Sequence, residues 1–213
     1  MSKDLMLTTR IPPSVNHYIG YRTITRGGRP MAMSYKTKEA LKWQKEFAEY
    51  VTREAQKQKW ELVPNKTQHF YVDTVFYFPR VDQDANNYFK VMLDAITDTQ
   101  AIWLDDNVVC ERVQAVYYDT ENPRVEIHIH PTDYIGVFAN AFQLEEFESN
   151  CFDCKRYKRN CSILRNAKEG RIQEEITNNV CKKRTQADTE IAWDDMTCPA
   201  TRDQGDTGYD KQS

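Results

Sequence analysis

No apolar run in this 213-residue chain approaches the roughly 18 to 20 residues that a bilayer-spanning helix needs. That excludes a transmembrane helix. The opening Met1-Ser2-Lys3-Asp4 leads into a short apolar stretch without the long hydrophobic region of an export signal, which sets the expectation of a cytoplasmic protein. No internal repeat is present. Net positive charge is missing too: the formal balance is −3, which at first argues against a nucleic-acid partner. What is there is a hydrophobic fraction of 40% with 12% aromatics. That is enough for one good core and a small extra module or tail, though not for two full-size domains.

The charge average conceals a pattern. Residues 5–38 contain Arg10, Arg22, Arg26, Arg29, Lys36 and Lys38 and no Asp or Glu, a local +6, whereas residues 61–134 set five basic residues against thirteen acidic ones, a local −8. A basic arm beside an acidic pocket suits a polyanion that must be delivered to a metal site. A solvated basic loop next to ordinary acidic surface is the plainer alternative.

Residues 5–11 have strand character, ended by Pro12-Pro13, and a long polar loop with Gly27-Gly28 at its tip follows. Leu41, Phe47, Ala48, Val51 and Ala55 recur at helical spacing, which predicts a helix from about residue 37 to 59 with Thr37 as its N-cap. Residues 69–78 are rich in aromatic and β-branched side chains, as strands are, and Pro79 closes that run. A second helix is expected over residues 87–97. Asn87, Lys90 and Asp94 share its polar face, so Lys90 and Asp94 can pair, while Val91, Met92, Ala95 and Ile96 turn to the core. Residues 108–118 and 124–130 read as two strands joined in a hairpin. The order β, α, β, α, β, β predicts an α/β or α+β domain with a mixed sheet and two main helices, ending near residue 133. A cysteine-rich module over 134–182 and a polar, disordered tail over 183–213 are expected after it.

Residues 80–106 concentrate hard oxygen donors. Asp84 stands just before the second helix, Asn86 and Asn87 at its start, and Asp105-Asp106 at the start of the next strand. If the fold brings them into one cleft, such groups can bind Mg²⁺, which takes oxygen ligands, polarises a phosphoryl oxygen and activates water. Lys90 could then neutralise charge developing on a phosphate. Aspartates at helix starts are also frequent simple caps, and that alternative stays open.

At these residues the chain resembles the RusA-type crossover junction endodeoxyribonucleases of bacteria and their phages. The similarity is carried by D-A-N-N-Y-F-K-V-M-L-D-A at 84–95, W-L-D-D-N-V-V at 103–109 and P-P-S-V-N-H-Y at 12–18, in that family's order, and covers about residues 5–131. The resemblance implies a RusA-like fold and Asp84 and Asp106 as metal-binding catalytic carboxylates, with Lys90 as the catalytic lysine. Asp105 and Asn87 would be supporting members. Asn86 stands where the family's pattern has its second aspartate; its amide offers an oxygen to Mg²⁺ but no charge. Asp82 or Asp105 would have to compensate. By the same resemblance the protein is a homodimer, phage or prophage encoded, that uses Mg²⁺, or Mn²⁺ as a substitute, to nick opposed strands of a four-way DNA junction in recombination and repair. Asn16, Arg22, Arg26, Arg29 and Lys36 would contact the DNA. Tyr18 and Tyr21 could stack on unpaired bases or pack on the protein's own surface.

Cys151, Cys154, Cys161 and Cys181 give four thiolates outside the expected core. Structural Zn²⁺ is the first expectation for them, with an iron–sulfur cluster as a rival using the same ligand set. Lys155, Arg156, Lys158 and Arg159 lie between the ligands and could form a basic patch, while Cys198 in the tail has no evident partner. His128 and His130 share one face of a strand and read as edge positions rather than ligands. Two rival functions remain: a junction-binding protein whose catalysis Asn86 has ended, and a zinc-containing DNA-binding regulator acting through the cysteine module.

Overall fold

The computed structural model describes residues 4–157, 159 and 161–185. The part of the expected tail from residue 186 on, with Cys198, lies outside the described residues, as does Lys158. A four-stranded mixed sheet has the order β1-β6-β4-β5, formed by β1 (Leu5–Arg10), β4 (Phe70–Phe78), β5 (Val109–Tyr118) and β6 (Arg124–Pro131). After the one-turn helix α1 (Val15–Tyr18), two longer helices, α2 (Lys38–Lys57) and α3 (Phe89–Asp98), cover one face.

Strand alternation decides which face they cover. Along β4 every second residue is buried, namely Phe70, Val72, Thr74, Phe76 and Phe78; Val125, Ile127 and Ile129 continue that face on β6, and Leu5 and Leu7 on β1. Against them α2 turns Ala40, Trp43, Phe47, Val51 and Ala55, a stripe at helical spacing. Thr37 caps this helix as expected, its hydroxyl accepting from Ala40 N at 3.3 Å. α3 buries Phe89 and Leu93 as well as the four expected apolar residues, and its exposed Lys90 pairs with Asp94 at 3.5 Å. Among the described residues no helix is long and apolar enough to cross a membrane.

Two local expectations are corrected. Residues 108–118 and 124–130 are strands but not a hairpin: β6 pairs antiparallel with β4 and β1, while β5 pairs parallel with β4 on its other side. β4, buried at alternate positions throughout, takes the central place. The five-residue link 119–123 passes over its end, where Asp119 N donates to Phe78 O at 2.8 Å. The polar loop around Gly27-Gly28 is instead a two-stranded arm, with β2 (Ile19–Arg26) and β3 (Arg29–Lys36) paired residue for residue. Gly27 and Gly28 have φ of 60° and 75°, the left-handed pair that a tight two-residue hairpin turn requires.

The free edge of β1 is covered by α2. Gln58, just past the helix, donates to Met6 O and accepts from Met6 N at 2.8 and 2.9 Å, and the Tyr50 hydroxyl accepts from Thr8 N at 3.1 Å. These side chains satisfy an edge that would otherwise invite strand addition.

Beyond residue 131 the chain builds a second, smaller cluster around Phe138, Phe147 and Ala167, using α4 (Ala141–Ser149), α5 (Ile163–Lys168) and the short pair β7 (Ile176–Thr177) and β8 (Val180–Cys181). Gly136 is needed there: its φ is 57°, and a Cβ would stand 1.9 Å from Ala167 O.

Candidate active site at two ends of the sheet

β1 and β4 both run antiparallel to β6, and Arg10 and Tyr77 are both aligned with Arg124. Their C-terminal ends therefore lie at the same margin of the sheet. The segments that leave them, residues 11–17 and 80–88, together with Glu39 at the start of α2, wall a cleft of about 450 Å³. Asn16, Asp82, Asp84 and Asn87 are thus brought together. Asp84 caps the 3-10 turn Ala85–Asn87, one carboxylate oxygen accepting from Asn86 N at 3.0 Å. Asp82 is held by Arg80 at 2.8 Å. Gln83, which also lines the cleft, has a buried Oε1 with no hydrogen-bond partner among the described residues. An orphaned amide oxygen beside two carboxylates is a donor set that suits a hard divalent cation. Burial raises the pKa of the neighbouring Tyr88 hydroxyl; Arg80 opposes this, and Asp82 and Asp84 add to it.

Asp105 and Asp106 are elsewhere. They precede β5, whose first residue Val109 lies opposite Phe70, the first residue of β4. Asp105 caps the 3-10 turn Asp106–Val108 and pairs at 2.8 Å with Lys66, four residues ahead of β4. That contact, with the Asn107 backbone N–H, holds the Asp105 carboxyl below the usual carboxylate range. Asp106 is exposed, and partial desolvation together with its charge raises the Glu111 carboxyl. A nine-residue strand lies between the two ends, about 27 Å at ordinary strand rise. The expectation that one chain gathers Asp84 and Asp106 in a single cleft is therefore corrected. α3 runs back along the sheet, so the start of the helix and the start of the following strand fall at opposite margins.

Lys90 is not among the residues lining the cleft. It belongs to a polar chain across α3: Lys90 meets Asp94, whose other oxygen accepts from the Tyr18 hydroxyl at 2.6 Å. That hydroxyl accepts from Gln44 at 3.3 Å, and Gln44 in turn accepts from Lys36 at 3.2 Å. Burial works against the charge on Lys36, but Tyr18, Asp94 and Asp98 more than offset it and raise its pKa. Tyr18 is only 1% exposed, which leaves it unable to stack on a base, whereas Tyr21 on the arm is 75% exposed. Tyr18 and Gln44 are site neighbours that the sequence reading missed as such. The helical spacing of Gln44 from Ala40 and Phe47 was a usable signal. Arg22, Arg26 and Arg29 are exposed on the arm.

A family model described as endodeoxyribonuclease RusA matches residues 11–130. The chain belongs to the RusA endodeoxyribonuclease family. The matched stretch contains the cleft segments, the arm, α3 and the Asp105-Asp106 turn, and stops before the cysteine-rich region. Comparison with curated proteins gives no match.

One further group in this RusA-family domain gathers potential metal ligands. Donor atoms of Asp73, His128 and His130 lie within 4.8 Å of one another on the sheet face away from the helices. His130 Nε2 is 3.1 Å from Asp73, and His128 Nε2 is 3.1 Å from Asp4. Asp73 already accepts two hydrogen bonds from Arg112, at 2.5 and 2.7 Å. A fixed guanidinium on the only carboxylate of the trio opposes a second cation there, so these residues fit an ion-paired cluster better than a resident metal. Burial alone would raise the Asp73 carboxyl, but Arg112, Gln114 and His130 outweigh it and hold it well below the ordinary range. The unfolded chain then binds more protons than the folded one in acid. The stabilisation is complete above the unfolded carboxylate pKa of about 4 and is lost as pH falls below it. Asp73→Asn should cost about 2 kcal/mol at neutral pH. It should also flatten the fall of Tm between pH 5 and pH 2, measured by thermal circular dichroism.

Proposed function

We propose that the protein is a Mg²⁺-dependent, structure-specific endodeoxyribonuclease that resolves four-way DNA junctions as a homodimer, by paired symmetric nicks, in recombination and repair. The observation that carries this reading is the cleft that the 11–17 segment shares with Asp82, Gln83, Asp84 and Asn87, in the same domain as a basic two-stranded arm. Asp84 and the amide oxygens of Gln83 and Asn87 would hold the cation, and Asp82 would join them if Arg80 turned to a phosphate. When bound, Mg²⁺ polarises a phosphoryl oxygen and activates water for attack. Arg22, Arg26 and Arg29 bind the backbone, Asn16 positions the strand in the cleft, and Lys90, outside the cleft walls and paired with Asp94, would have to leave that pair to supply positive charge as charge develops on the phosphate.

The distance between Asp84 and Asp106 gives the homodimer a catalytic reason. Two copies related by a twofold axis can set the Asp84 end of one against the Asp106 end of the other, making two equivalent composite sites. A junction of approximate twofold symmetry suits such a pair. Asp105, held by Lys66, keeps the Asp106 turn in place for that contact.

Cleavage of a synthetic four-way junction should require Mg²⁺ or Mn²⁺ and produce paired nicks; no cutting with either ion at any concentration sinks the reading. Asn86 is exposed next to Asp84 and brings no charge to the site. Asn86→Asp should lower the Mg²⁺ concentration for half-maximal rate by about tenfold. A wild type that only binds junctions, with activity appearing in Asn86→Asp, would favour the impaired-enzyme alternative.

A further inference from the structure

The four cysteines of the C-terminal region converge. Cys151 follows α4, Cys154 and Cys161 lie in the turn segment before α5, Cys181 ends β8, and all four line one cavity of about 190 Å³. Its apolar wall comes from Phe147, Ile163 and Leu164. None of the four is in a disulfide.

Their spacing distinguishes between occupants. Zn–S bonds of about 2.3 Å in a tetrahedron put sulfurs about 3.8 Å apart and leave no hollow between them. Among the described residues, only Asp73, His128 and His130 have three donor atoms mutually within 4.8 Å. No three of these sulfurs are therefore that close, although the four share one cavity. An iron–sulfur cluster distributes its thiolates over different iron atoms around an inorganic core and needs such a separation.

The surroundings suit an anionic cluster. Arg156, Arg165, Lys183 and Arg184 also line the cavity; Lys183 pairs with Glu175 and the Arg184 Nη2 with Asp153, while the Arg184 Nε is buried with no hydrogen-bond partner among the described residues. An N–H donor of this kind, left without an acceptor, fits a cluster sulfur, and such hydrogen bonds tune these centres.

We infer that Cys151, Cys154, Cys161 and Cys181 ligate an iron–sulfur cluster that holds together the region following the nuclease domain. Assembly takes up iron already in the ferric and ferrous states of the cluster, together with sulfide, and releases the protons of the four thiols, so no net oxidation or reduction occurs at the site. The inference is independent of the nuclease reading, because its test needs no DNA and no activity. Full-length protein is produced without oxygen in medium containing both iron and zinc. Iron, acid-labile sulfide and zinc are then measured, with visible absorption before and after dithionite. About two or about four iron atoms per chain with equal sulfide, and a visible band that dithionite bleaches, are the expected result. Cys154→Ser should lose at least half of the iron, and Cys110→Ser, outside the cavity, should keep it. One zinc per chain without sulfide overturns the inference, and so does metal-free protein. If Cys154→Ser fails to fold, the wild-type iron, sulfide and zinc contents still decide the matter.

Discussion

Asp84→Asn and Asp106→Asn should each lower Mg²⁺-dependent junction cleavage by about 10²-fold or more while leaving the thermal midpoint nearly unchanged. Both side chains are exposed, so neither substitution disturbs the core. Asp84 and Asp105, not Asp106, make the capping contacts at their turns. Asparagine caps about as well as aspartate, so the turn at Asp84 survives the change. On the proposed mechanism, what is lost is one negative ligand oxygen at each position. If, as proposed, the arm's phosphate contacts carry most of the binding energy, junction affinity measured in Ca²⁺ should stay within about threefold. A large fall in melting temperature for either variant would mean that the carboxylate serves the fold.

The second large effect is expected at the arm. Replacing Arg22, Arg26 and Arg29 together by Ala removes three cations from exposed positions of a hairpin whose pairing is backbone to backbone. Arg22 also lies over the Tyr35 ring at 5.8 Å, a surface contact whose loss leaves the core intact. If each arginine neutralises one phosphate, the slope of log affinity against log salt should shrink by about 0.9 for each, or about 2.7 in all. Affinity should fall by about 10² or more near physiological salt, for duplex and junction alike, because phosphate contacts carry no sequence information. Titration by fluorescence anisotropy at several salt concentrations measures both. An unchanged slope would remove the arm from the DNA path. Lys36 belongs to a different class: its ammonium is engaged by Gln44 near the buried Tyr18, so Lys36→Ala should weaken the base of the arm more than the salt slope.

Much of the domain was readable because burial imposes a period. The stripe on α2, the alternation on β4 and the polar face of α3 each satisfy one geometric rule along a continuous segment. The arm escaped because residues 19–36 are largely exposed, so no alternation of apolar and polar residues marks their strands, and only Gly27-Gly28 signals the turn. The false hairpin at 108–130 came from proximity in sequence. Pairing followed the burial of β4 instead, and β4 separates β5 from β6. The same blindness to direction concealed the separation of the two carboxylate segments. Asp84, Lys90 and Asp106 form one motif along the chain, yet α3 carries the chain from one margin of the sheet to the other between the first and the last. The cysteines give a ligand count in the sequence, whereas the separation of their sulfurs exists only in three dimensions.

The central claim is that each active site takes Asp84 from one copy and Asp106 from another. Mixing inactive Asp84→Asn and Asp106→Asn proteins, allowing subunits to exchange, and assaying nicking of a four-way junction tests it directly. A mixed dimer would contain one composite site with both aspartates intact, so nicking should return to as much as about one quarter of the wild-type rate, mostly as single rather than paired cuts. If each chain's site is complete in itself, every chain in the mixture carries a defect. Mixed dimers shown to have formed but left as inactive as their parents would contradict the account.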